Sequence, residues 1–136
     1  MANATILENT TSKSQRWISY ILSGLVILFM LLDSIMKFFK PQQVIDGTLA
    51  LGYGEEHIII LGILGLTSTL LYAFPRTSIL GAILLTAYFG GAVATHVRLN
   101  NPLFTHTLFT VYLGILAWSG LWLRNNKLRE LIRERA

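Results

Sequence analysis

Asp33 and Lys37 stand four residues apart inside a long apolar run. On a helix they share one face, with the acid N-terminal to the base, which is the favourable order. Asp33 lies six residues before Phe39, where the run ends; that is about 9 Å of helix rise. A carboxylate at that depth in hydrocarbon is expensive unless paired or hydrated, so an ionisable residue there points to a binding or proton-handling role. The plainer alternative is an ion pair that snorkels outward and orients its helix. The chain has three histidines, His57, His96 and His106. A neutral imidazole both donates and accepts, and it titrates near physiological pH. His96 and His106 flank one short connection, so both can serve one pocket, with Arg98 beside them. Glu55, Glu56 and His57 form a secondary group of candidates. The three histidines lack a short, fixed ligand spacing, so no metal site is expected. The bland reading of His96 and His106 is bonding to helix-end carbonyls or water.

Long apolar elements must position these groups. The chain has 136 residues; 53% are hydrophobic and 13% charged, where a soluble domain has roughly 25% charged residues. Mean hydropathy is +0.56. A chain this short buries too little of its surface to hide so much apolar area in water. A soluble enzyme, a disordered tail and a collagen-like fibre are thereby poor readings, and an integral membrane protein is the expectation. Cysteine is absent, which removes disulfides, thiolate metal sites and thiol redox chemistry.

Four apolar runs cover residues 17–39, 58–74, 77–97 and 103–123. Each approaches the ~20 residues a helix needs to cross a bilayer, the second being the shortest. The runs are continuous, without the alternation of barrel strands. The fold class expected is all-α: an antiparallel four-helix transmembrane bundle over residues 16–123. It is preceded by a flexible arm (1–15) and followed by a basic amphipathic tail (124–136). Residues 40–57, with Pro41, Gly47, Gly52 and Gly54, read as the longest loop, while 75–77 and 98–102 read as tight connections. The first run is too long for a cleaved signal peptide and suits an uncleaved anchor.

Eight Lys and Arg residues fall on the side of the termini and of Arg76, against three (Lys37, Lys40 and Arg98) on the other. The positive-inside rule then puts both termini in the cytoplasm, and Leu128, Leu131 and Ile132 suit the tail to an anionic leaflet. This accounts for the net charge of +4 without nucleic acid as a partner. Gly90 with Ala94, and Gly91 with Thr95, are small residues four apart, which predicts close approach of a neighbouring helix; Gly62 and Gly65 read the same way. Tyr88, Tyr112, Trp118 and Trp122 read as packing and interface anchors. No P-loop, dinucleotide fingerprint, nucleophile elbow or zincin motif is present.

Residues 74–77, 80–86 and 102–104 together resemble the DoxX-like family of small bacterial membrane proteins. So do the run Gly90–Arg98, ending in Ala94, Thr95, His96, Val97 and Arg98, and the residues 106–109 and 111–114. Lys37 matches a lysine usual at the end of the first helix in that branch. The resemblance covers about residues 17–128. It implies a four-helix bundle in the bacterial inner membrane, and the family's namesakes are linked to a membrane quinone oxidoreductase acting on thiosulfate. Many members carry an acid near position 65, where this chain has Gly65; Asp33 stands where small residues are more usual. Lacking cysteine and a haem-ligand pair, the chain would need a bound quinone or a partner subunit for electron transfer.

The leading functional expectation is an outward-facing polar pocket for a quinone-like or other small lipophilic ligand. Lys37, His96 and His106 would contact its head, Asp33 would set their charge, and Arg98 would stand nearby. The alternatives are a small proton-coupled transporter and a non-catalytic subunit that assembles with itself or with a membrane partner.

Overall fold

The computed structural model describes residues 13–102 and 107–135. Most of the expected arm, and residues 103–106 including His106, lie outside the described residues. Among the described residues there are six helices and no strand: α1 (Lys13–Phe39), α2 (Gln42–Ala50), α3 (His57–Ala73), α4 (Ser78–Arg98), α5 (Leu108–Arg124) and α6 (Asn126–Arg135). Helix α1 packs against α3 and α5, and α4 packs against the same two.

Small hydroxyl side chains share the interior with an apolar core, while many large apolar side chains face outward. Ser19, Ser23, Ser34, Ser68, Thr69 and Thr95 are buried, while Ile21, Leu25, Leu28, Leu32, Ile63 and Ile83 are exposed. In water such a pattern leaves apolar surface unburied; in lipid the outside needs no covering, and small residues let helices approach. Helices α1 and α4 are long and apolar enough to cross a membrane, and only 28% and 33% of their most apolar windows are buried within the protein. They are therefore not the enclosed core helices of a soluble fold. Helices α3 and α5 are shorter apolar helices.

The segment expected as a loop, 40–57, holds helix α2. Lys40 (φ 50°) ends α1 in the left-handed region, and Pro41, in extended conformation, starts α2. Gln42 Nε2 donates to Asp46 Oδ1 at 2.8 Å, and Thr48 Oγ1 to the Val44 carbonyl at 2.8 Å. Gly47 suggests a loop because glycine disfavours helix by about 1 kcal/mol, but those two bonds and the proline start outweigh it. Helix α1 also begins at Lys13, so the last three residues of the expected arm are helical.

Glycines bring particular helices together. A Cβ on Gly81 would collide with the backbone of Tyr72, and one on Gly120 with Ser23. A Cβ on Gly62 would stand 3.2 Å from Lys37 Cβ and one on Gly65 2.9 Å from Ser34 Oγ. Gly90 and Gly91 behave otherwise: nothing lies within 4 Å of a Cβ at either. The expectation that they draw a helix close is corrected here. Their missing side chains border open space.

Candidate functional site

Gly91 borders a cavity of about 670 Å³ lined from α1, α2, α3, α4 and α5. Asp33, Lys37 and His96 all line it, so three sequence candidates from two helices meet at one site. Their neighbours on the wall are mostly apolar, among them Phe29, Met30, Leu61 and Leu113. Volume and lining fit the usual ligand pocket, an apolar chamber with a few convergent polar groups.

Lys37 Nζ donates to Asp33 Oδ2. The lysine side chain is the more enclosed of the two, 13% exposed against 36% for the aspartate. Pairing lets the two charges coexist away from water. An ammonium has three N–H donors, so one bond to Asp33 does not exhaust it.

His96 sits in the last turn of α4, where the chain reverses. Asn100 takes φ 55°, a conformation Asn tolerates better than most residues. The Asn100 N–H bonds to the Val97 carbonyl at 3.1 Å and the Asn101 N–H to the His96 carbonyl at 3.0 Å, the paired closure of a Schellman motif. The same turn aims Asn101 Nδ2 at His96 Nδ1, 2.8 Å away. An amide nitrogen only donates, so Nδ1 accepts and the neutral ring carries its proton on Nε2. A loop-closing asparagine thus fixes the tautomer of a cavity-lining histidine.

Three further cavity residues escaped the sequence reading as site residues. Tyr88 lines the cavity within electrostatic reach of Asp33. Its signal was its spacing: residues 88, 91, 92, 95 and 96 fall on one helical face. Tyr53 and Thr95 line it too. Thr95 Oγ1 donates to the Gly91 carbonyl at 2.8 Å, so at 2.9 Å the Tyr53 hydroxyl is the donor to Thr95. Nothing in the spacing of Tyr53 announced that bond, since it depends on α2 turning the chain back over the cavity. Position 65, where the resemblance suggests an acid, faces Ser34 and, at 3.5 Å, the ring of Tyr88.

The remaining candidates stand elsewhere. Arg98 is not a lining residue. Its Nη2 donates to the Leu51 carbonyl at 3.0 Å and occupies the place a Cβ on Gly52 would need, 2.9 Å away. Gly52 has φ 87°, a left-handed conformation that favours glycine. Arg98 thereby braces the end of α2. Glu55, Glu56 and His57 are exposed and away from the cavity. His57 Nδ1 accepts the Gly54 N–H at 3.0 Å, which closes the turn into α3. Its 3.9 Å approach to Glu56 is no ion pair while Nδ1 is accepting. Among the described residues no group of three or more His, Cys, Asp or Glu side chains is placed to hold a metal ion.

The sequence model of the DoxX-like family matches residues 21–120. The chain belongs to that family, and with it to the membrane proteins. No curated protein and no solved structure matches the chain.

Proposed function

We propose that this is a multi-pass protein of the bacterial inner membrane whose cavity binds a small lipophilic ligand with a polar, hydrogen-bond-accepting head, a quinone being the type. The observation that carries the reading is the convergence of Asp33, Lys37, Tyr88 and His96 on one otherwise apolar chamber of about 670 Å³. Lys37, the Nε2–H of His96 and the Tyr88 hydroxyl are donors suited to carbonyl or ether oxygens. Asp33 accepts from Lys37 Nζ and holds it in place. His106 belongs to the proposed set on its sequence position alone.

In this reading α1, α3, α4 and α5 all span the bilayer as an antiparallel bundle, with both termini cytoplasmic. The start of α1 meets the end of α5 through Ser23 and Gly120, and the end of α1 meets the start of α3 through Lys37 and Gly62; those contacts support it. The 17 residues each of α3 and α5 reach the low end of the spanning range, about 17–25. Since the chain has no native cysteine, a single introduced one reports topology. Glu130→Cys is expected to resist an impermeant thiol reagent in intact cells and Asp46→Cys to react; the reverse pattern would refute the orientation.

The function test is the content of the purified protein. Extracted lipophilic molecules, compared by mass spectrometry between the wild type and Lys37→Met, are expected to include one retained only by the wild type. Identical extracts from two folded proteins would contradict the reading.

A further inference from the structure

Three of the four contacts between long helices are sealed by a glycine. Gly62 and Gly65 of α3 lie against α1, Gly81 of α4 against α3, and Gly120 of α5 against α1. The contact between α4 and α5 is different. Its glycines are Gly90, with nothing within 4 Å of a Cβ, and Gly114, whose nearest neighbour would be Phe89 at 3.8 Å. Here glycine leaves space instead of closing it.

The space is a second hollow, about 460 Å³, between α4 and α5. It runs from Val93 to Thr86 on one wall and from Thr110 to Ser119 on the other, roughly 10 Å along α4 at the helical rise. At one end Trp118 Nε1 donates to Thr86 Oγ1 at 2.6 Å and ties the walls together. Phe89, midway along the α4 wall, and Thr110, at the far end of the α5 wall, line both this hollow and the large cavity. Phe89 is buried and Ile115 on the groove wall is exposed. Chamber and groove therefore share Phe89 and Thr110 as a common wall, and the groove opens on the apolar exterior.

We infer that the ligand is an amphiphile: its polar head occupies the cavity beside Lys37 and His96, and its apolar chain passes Phe89 and lies in the α4–α5 groove. The inference rests on the proposed function and adds the chemical class of the ligand and its path. The chamber holds the Asp33–Lys37 pair, whereas the groove surface is almost wholly apolar, so the groove is the better place for an apolar chain. The groove lets the head meet the charges while the chain stays among Val93, Ile115 and lipid. It also opens a lateral route from the bilayer, suited to molecules that never enter water.

The test uses the full chain in nanodiscs and two probes, a dimethoxy-methyl-benzoquinone and the same ring carrying a decyl chain, with binding measured by native mass spectrometry. Gly90→Leu adds bulk to the groove at a position where a Cβ meets no atom within 4 Å, and the unfolding midpoint of the variant checks that it folds. Ile115→Trp fills it from the opposite wall. Overpacking of this kind is expected to weaken the decyl probe about tenfold in both variants, with the bare ring changed less than about twofold. Decyl binding unchanged in both variants, with the bare ring still bound, would overturn the chain path and leave the cavity reading standing. Failure of the wild type to bind either probe would overturn both. A wild-type dimer that Gly90→Leu converts to monomer would show the groove to be a contact between copies, and would also overturn the inference.

Discussion

The two ends of the helix cluster use the same residue types to opposite effect. Where the start of α1 meets the ends of α3 and α5, glycine, serine and tyrosine close the interior. Tyr72 is fully buried; its hydroxyl donates to the Ala117 carbonyl at 2.6 Å and accepts from Ser23 at 2.9 Å. Arg124 lies over its ring at 5.2 Å. Gly81 and Gly120 bring backbones into contact around this network. At the other end Gly91, Thr95, Tyr53 and Tyr88 border a hollow that holds a charge pair and a histidine. Composition alone does not separate a sealed seam from a pocket wall. What separates them is whether the face opposite a small residue is another helix backbone or nothing.

The sharpest way to break this contrast is to make one substitution at both ends. Gly81→Ala puts a methyl into the Tyr72 backbone and is expected to destabilise by about 3 kcal/mol. A Cβ at Gly91 meets no atom within 4 Å, and Gly91→Ala is expected to stabilise by about 0.5–1 kcal/mol through helix propensity. Equilibrium unfolding in mixed micelles checks both, and equal effects would erase the distinction. Tyr72→Phe removes both hydroxyl bonds at the sealed end and is expected to lower stability by about 1–2 kcal/mol, with ligand affinity unchanged. The reverse partition is expected at the open end. Asn101→Ala frees the His96 tautomer, and a bond of about 1 kcal/mol predicts a ~fivefold loss in affinity for the ring probe. The unfolding midpoint is expected to move less than for Tyr72→Phe.

The all-helical class was readable because the apolar runs are long, continuous and punctuated by proline and asparagine. The face shared by Asp33 and Lys37 was readable for a local reason, since helical periodicity fixes it within four residues. Helix α2 was obscured by Gly47 and by Pro41, which reads as a breaker but here begins a helix. Gly90 and Gly91 were misread because small-residue spacing says where a helix can approach, not whether one does. Arg98 has the charge and position of a site residue, yet its partner is the Leu51 carbonyl, forty-seven residues away in sequence. A contact at that separation has no local signature. Tyr88 shares a face with His96, and that periodic signal was present but attributed to packing.

In the proposed function His96, held in one tautomer by Asn101, contacts the polar head of a bound ligand in the cavity. His96→Gln keeps hydrogen bonding and removes titration. The most direct measurement is the affinity of the benzoquinone ring probe for wild type and His96→Gln in nanodiscs, between about pH 5 and pH 8, the range in which histidine changes charge. Wild-type affinity is expected to vary with pH, and the variant is expected to bind about tenfold more weakly with a flat profile. Equal affinity and the same pH profile in both proteins would contradict it.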